Sequence, residues 1–125
     1  MINPKELRIG NLVKVVNHNL IISGITDSFV TFQRKLNCSV ESADIESLDP
    51  ILLTHEILEK AGFSYYHTHP TLSEWFIHDN PNMLGAIVFE DGKYVYEGYE
   101  YEIQSFHQLQ NLFYAVTGEE LEIKL

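Results

Sequence analysis

The sequence predicts an α+β fold: a small barrel-like N-terminal β-sheet, then an antiparallel β-meander packed against one C-terminal helix. Three observations support this. Short β-branched and leucine-rich segments alternate with turn residues over roughly residues 8–48. A second series of strand patterns, with the hairpin signal Asp91-Gly92, occupies residues 63–103. One strong helical pattern follows directly after it.

The C-terminal helix is the best-specified element. Ser105 and Gln108 have the spacing of a capping box, which satisfies amide donors at a helix start. Gly118 can adopt the left-handed conformation that ends a helix. The apolar residues between them recur at helical spacing and form one stripe: Phe106, Leu109, Leu112, Phe113 and Val116. We therefore predict a helix over Ser105–Thr117 whose stripe is buried.

The N-terminal elements are short. Asn3, Pro4 and Glu6 have the pattern of a small helical start. Frequent turns between brief strands favour a bent sheet or an SH3-like barrel. Residues 37–50 are polar and acidic, and Asp49-Pro50 marks a boundary. The strands predicted here are Leu12–Val16, Leu20–Ile22 and Phe29–Phe32.

The second half begins with a short helix. Thr54 is its predicted N-cap, His55–Ala61 its body and Gly62 its end. A β-meander is predicted to follow, and the alternation at the C-terminus predicts one further edge strand. The predicted strands are Phe63–His67, Glu74–His78, Gly85–Glu90, Lys93–Ile103, with Gly98 as a bulge, and Glu120–Leu125.

Length and composition favour one compact domain over residues 1–125, or two sub-lobes, 1–49 and 50–125, that share a core. The single cysteine, Cys38, excludes an intrachain disulfide. No signal-peptide pattern and no membrane-spanning apolar run is visible, so we expect a cytoplasmic protein that does not insert into a membrane.

The net charge of −10 is concentrated in the second half of the chain. Residues 1–60 carry six Lys/Arg against eight Asp/Glu, whereas residues 61–125 carry two against ten. An acidic surface repels phosphates, so direct nucleic-acid binding is not expected. One interpretation of this charge is that it keeps the protein soluble. The alternative is that it forms an acidic face for a basic protein partner.

Three blocks of the chain resemble a family of small proteins from Bacteroidetes genomes, their phages and mobile elements. The blocks are L-R-I-G-N-L-V at 7–13, P-I-L-L-T-H-E-I-L-E-K-A-G-F at 50–63 and H-Q-L-Q-N-L-F-Y-A-V-T-G-E-E-L at 107–121. The resemblance implies no activity, cofactor or catalytic residue. It implies a bacterial cytoplasm or a phage-infected cell, and an accessory or interaction role.

Few patterns in the sequence indicate chemistry. His67 and His69 would share one face of a strand, and His78 or Asp79 on the following strand would complete a three-ligand metal site. Exposed histidines at loop edges are the alternative interpretation. Cys38 lacks the local features of a nucleophile, and glycine-rich phosphate loops are absent. We predict no catalytic residue, no bound metal and no cofactor.

On the C-terminal helix, the apolar stripe leaves His107, Gln110 and Asn111 without a structural role. These three are the candidate contacts for a protein partner of unknown identity. The function expected is a non-enzymatic protein–protein interaction or accessory module of a bacterial mobile element or phage. Two alternatives stay open: a small metal-dependent hydrolase that uses the three histidines, and an acidic DNA-mimic inhibitor.

Overall fold

The structure is a computed structural model that describes residues 2–32, 39–67, 74–97 and 102–123. Within these ranges the chain forms two antiparallel sheets and two α-helices, α1 (His55–Lys60) and α2 (Phe106–Thr117). The strands are β1 (Leu12–Val15), β2 (His18–Ile25), β3 (Phe29–Phe32), β4 (Glu41–Asp44), β5 (Leu48–Asp49), β6 (Phe63–His67), β7 (Glu74–His78), β8 (Ile87–Glu90) and β9 (Lys93–Tyr96).

The first sheet is curled into a half-barrel, with strand order β4-β3-β2-β1-β5. Its curl is associated with an irregularity in the long strand β2, where the register against β3 shifts between Ile22 and Gly24. A Cβ atom added at Gly24 would lie 2.5 Å from the Thr31 hydroxyl oxygen, so a larger residue at this bend would displace the Thr31 side chain. The predicted barrel-like sheet is confirmed. The polar segment also contributes two strands, β4 and β5, that the sequence pattern did not resolve.

The second sheet is a meander with order β6-β7-β8-β9. Asp91 and Gly92 join β8 to β9, and both have positive φ, as a tight hairpin turn of this kind requires. Helix α2 follows the sheet and packs its apolar stripe into a core shared with the meander. The predicted α+β fold, with one sheet in each half and one C-terminal helix, is therefore confirmed.

Both helices begin at their predicted N-caps and α2 ends as predicted, whereas α1 ends at Lys60, one residue earlier than predicted, with Ala61 as its C-cap. Thr54 Oγ1 accepts a hydrogen bond from Ile57 N at 3.1 Å, which caps α1. Ser105 and Gln108 form the capping box of α2, and Gly118 ends it with φ of 75°. Asn3 likewise caps a single 3₁₀ turn at Pro4–Glu6. These ends depend on local sequence, which is why they were predictable.

Two predicted strands are wrong. The strand predicted over Lys93–Ile103 ends at Tyr96, and the chain returns antiparallel so that Ile103 N donates to Tyr94 O at 2.7 Å. The return places the Ile103 side chain in the core. Gly98, the predicted bulge, lies outside the described residues. No strand forms over residues 120–123, because Leu121 is buried in the core instead of pairing at a sheet edge.

The buried side chains form two clusters. One contains residues between Ile2 and Leu48, and lies within the first sheet. The other contains Leu12 together with residues from Leu53 to Leu121, and lies between the meander, α1 and α2. Among the described residues, neither helix is long and apolar enough to cross a lipid bilayer.

Candidate functional site

The polar residues of α2 face the N-terminal half of the chain. Gln110 is buried, its Oε1 accepts a hydrogen bond from Leu12 N at 2.8 Å, and its Nε2 donates to Gly10 O at 3.3 Å. Asn111 Oδ1 accepts from Asn11 Nδ2 at 2.9 Å, and Asn111 Nδ2 donates to the Glu6 carbonyl at 2.6 Å. Both amides therefore connect α2 to the segment that leads into β1, a structural role that the sequence did not indicate.

His107 is also buried. Its Nδ1 lies 3.1 Å from Ser105 Oγ, whereas its Nε2 has no hydrogen-bond partner and lies 3.6 Å from Glu6 Oε2. Burial lowers the pKa of His107 and outweighs the nearby Glu6 carboxylate, which acts to raise it. The imidazole is therefore held in its neutral form.

Two of the three histidines proposed as metal ligands, His67 and His78, lie far apart. His67 pairs with Glu74 at one end of the β6–β7 ladder, and His78 pairs with Phe63 at the other. The two ends are four residue steps apart along the strand, a distance of about 13 Å. His69 lies outside the described residues. Across the described ranges, no group of three metal-binding side chains comes together.

A different histidine, His55, lies at the centre of a hydrogen-bonded cluster. His55 Nε2 is 2.7 Å from Glu74 Oε2, and His55 Nδ1 is 2.6 Å from the Tyr94 hydroxyl. The Tyr65 hydroxyl donates to Glu74 Oε1 at 2.8 Å. The ring also packs edge-on against Phe89, with centroids 4.8 Å apart. Both ring nitrogens are thus engaged, and the cluster fixes α1 to the meander.

Hydrogen bonding and burial shift the pKa values of three residues in this cluster. The hydrogen bond from Tyr65, followed by the one from His55, lowers the pKa of Glu74. The same Glu74 carboxylate raises the pKa of Tyr65, and burial raises the pKa of Tyr94. Sequence reasoning missed the cluster because its members come from α1, β6, β7 and β9, and no local pattern connects them.

A groove of about 1380 Å³ lies between the two sheets. One wall comes from the first sheet and the segment before it, where the side chains of Ile9 and Ile21 are 59% and 58% exposed. The opposite wall comes from the end of α1, the end of β7 and the segment after α2. Gln110 and Phe113 of α2 lie among the lining residues between these walls. We call this feature the inter-sheet groove.

The inter-sheet groove has an acidic lining. It contains one lysine, Lys60, against four glutamates: Glu59, Glu119, Glu120 and Glu122. Glu120 forms a bidentate ion pair with Arg8, and Lys60 is neutralised by Glu56 at 2.9 Å. Glu59 and Glu122 have no charged partner within the described part of the chain. The groove therefore combines exposed apolar side chains with excess negative charge.

Comparisons of the chain with protein-family models, curated protein sequences and solved structures gave no significant match.

Proposed function

We propose that this protein is a non-enzymatic protein–protein interaction module whose inter-sheet groove binds a positively charged segment of a partner protein. The proposal depends on the combination of two apolar side chains, Ile9 and Ile21, with the acidic lining of the groove. Both isoleucines are more than half exposed. Burial of exposed aliphatic side chains supplies binding free energy, and complementary charge supplies selectivity and a faster association rate.

The charge of the chain supports a basic partner. The second half carries two Lys/Arg against ten Asp/Glu. That half supplies Glu119, Glu120 and Glu122 to the groove. A negatively charged partner or a nucleic acid would be repelled by such a surface.

The arrangement of the titratable side chains favours binding over catalysis. The His55 cluster joins four titratable side chains through three hydrogen bonds, and it does not line the inter-sheet groove. Its two ring nitrogens already face Glu74 and Tyr94. A hydrolase built on His67 and His78 would need both at one centre, and they lie at opposite ends of the ladder.

An accessory role in a bacterial mobile element or phage, and a cytoplasmic location, are also part of the proposal. Their support is the family resemblance of residues 7–13, 50–63 and 107–121.

The proposal is tested by capture from bacterial lysate at moderate salt with the wild-type chain and matched variants. The first variant, Ile9→Ser with Ile21→Thr, removes the exposed apolar side chains of the groove. The second, Glu59→Lys with Glu122→Lys, reverses the charge of two glutamates in its lining. Leu84→Ser is the control, because Leu84 is 89% exposed and lies outside the groove.

We expect wild type and control to retain the same stoichiometric partner, and each groove variant to bind it at least about tenfold more weakly. Binding should also weaken as salt concentration rises. Absence of any stoichiometric partner, or a partner retained equally by the groove variants, would contradict the proposal. Circular dichroism and the urea midpoint of each variant verify that the fold is intact.

A further inference from the structure

We infer that β6 is a docking edge, where an extended and positively charged segment of a partner protein adds as a fifth strand of the meander. The inference rests on the proposed interaction role and adds the conformation of the bound segment. Strand addition of this kind obtains affinity from main-chain hydrogen bonds and specificity from alternate side chains.

Among the outermost strands of the two sheets in the described chain, β4, β5 and β9 each have a protected edge, and β6 does not. Strand β4, with the sequence E-S-A-D, has a carboxylate residue at each end, Glu41 and Asp44. β5 has two residues and is followed by Pro50. The outer edge of β9 is occupied by the returning chain at Glu102–Ile103. β6 carries the sequence F-S-Y-Y-H without a proline, lysine or carboxylate, the residues that commonly block strand edges.

β6 is also regular. Its five residues pair with β7 without a register shift, from Phe63 opposite His78 to His67 opposite Glu74. In an antiparallel ladder, alternate residues direct their N–H and C=O groups away from the neighbouring strand. Within the described ranges, no backbone hydrogen bond outside the β6–β7 ladder uses these groups. A five-residue edge therefore offers about four to six main-chain hydrogen bonds to an added strand.

Apolar side chains beside this edge provide a surface for alternate residues of the added strand. Tyr66 is 54% exposed and lies opposite Trp75, which lies opposite Val88 and then Val95 across the sheet. These four residues form one row on the face of the meander. An apolar side chain on a fifth strand would extend the row next to Tyr66, as cross-strand pairs do.

Negative charge beside β6 favours a positively charged partner segment. Asp79, almost fully exposed, follows β7 beside the first residue of β6, and Glu74 lies beside its last residue. Lysine or arginine in the added segment would be attracted to both ends of the edge. A second copy of this chain would instead bring together two chains with a net charge of −10 each. The β6 edge is also next to the inter-sheet groove. Gly62, which precedes β6, and His78, which pairs with the first residue of β6, both line that groove.

The test uses three end-blocked heptapeptides: one that alternates lysine and valine, one with glutamate in place of lysine, and the lysine peptide with alternate amides N-methylated. Fluorescence of Trp75, the sole tryptophan, measures binding because Trp75 is the cross-strand neighbour of Tyr66. Amide hydrogen exchange locates the contact. Tyr66→Lys is the test variant, and Leu84→Lys is the matched control.

We expect the lysine peptide to bind and to slow amide exchange at residues 63–67. The glutamate peptide, the N-methylated peptide and Tyr66→Lys should each weaken binding at least about tenfold, and Leu84→Lys should leave it unchanged. Binding with no protection at residues 63–67, or equal binding of the glutamate peptide, would overturn the inference.

Three further outcomes separate the edge inference from the groove proposal and from self-association of the chain. If the groove variants abolish peptide binding and Tyr66→Lys does not, the edge inference fails and the groove proposal stands. If β6 becomes protected without peptide, in a concentration-dependent dimer seen by analytical ultracentrifugation, the occupant is a second copy and the inference is overturned. If the peptide results hold and no groove-dependent partner is captured, the edge is supported and the groove proposal fails.

Discussion

Replacing Gln110 with alanine tests whether the polar side chains of α2 hold the two halves of the protein together. Gln110 is buried, and its amide accepts from Leu12 N and donates to Gly10 O. Alanine preserves helix propensity, so the helix itself should tolerate the change. The substitution therefore removes the connection between α2 and the start of β1 with little effect on either element alone.

The expected cost follows from these contacts. The Leu12 amide would be left buried without its 2.8 Å acceptor, at a cost of about 1–3 kcal/mol. The longer 3.3 Å bond to Gly10 O and the space left by the amide group add roughly 1 kcal/mol. We expect the free energy of unfolding to fall by about 2–4 kcal/mol, which lowers a urea midpoint by roughly 1–2 M.

Urea unfolding followed by far-ultraviolet circular dichroism measures this change. Gln104→Ala is the control, because the Gln104 side chain is exposed and donates one 3.3 Å bond to Glu102. Its unfolding free energy should change by less than about 0.5 kcal/mol. A loss below about 1 kcal/mol for Gln110→Ala, or a loss equal to that of the control, would refute the assigned role of the amide.

Three further predictions concern ionisation and packing. Because hydrogen bonds from Tyr65 and His55 lower the pKa of Glu74 below 4.5, wild type should be more stable than Glu74→Gln at neutral pH. That advantage should disappear as pH falls below 4.5 through the folded-state pKa, and a pH-independent difference in urea midpoints would contradict it. Because burial lowers the pKa of His107 below 6.5, the unfolded chain binds the proton more readily, and stability should decrease as pH falls below 6.5. His107→Gln should flatten that part of the pH profile, whereas parallel profiles would exclude His107 as the source. Gly24→Ala should cost about 1–3 kcal/mol through its contact with Thr31, and adding Thr31→Ala should recover part of the loss; strictly additive effects in thermal unfolding would argue against that contact.

The elements that the sequence predicted well are those with local signals. Ser105, Gln108 and Gly118 are all within one turn of the ends of α2, so the helix bounds followed from neighbouring residues alone. The polar strand β4 was missed because E-S-A-D has no apolar alternation, and it is a strand only through its pairing with β3. The error after Tyr96 has a similar origin, since an alternating pattern fits one long strand or two paired segments equally well.

The candidate site was less predictable. The pattern of α2 separated Gln110 and Asn111 from the apolar stripe, but it did not show whether they face water or protein. Their partners lie about one hundred positions earlier in the chain, at residues 6–12. The same limit applied to His55, whose hydrogen bonds come from Glu74 and Tyr94 on other elements. Only tertiary structure brings such groups together.

Strand β1 belongs to both cores of the protein. Leu12 is buried with the meander and α2, whereas Val13 is buried within the first sheet. Successive side chains of a strand point to opposite faces, so a shift of one residue would misplace side chains in both cores at once. Two independent sets of contacts therefore fix the same register. A cut between the halves at Pro50 would leave the C-terminal fragment without Leu12, so we expect neither half to be a complete folding unit by itself.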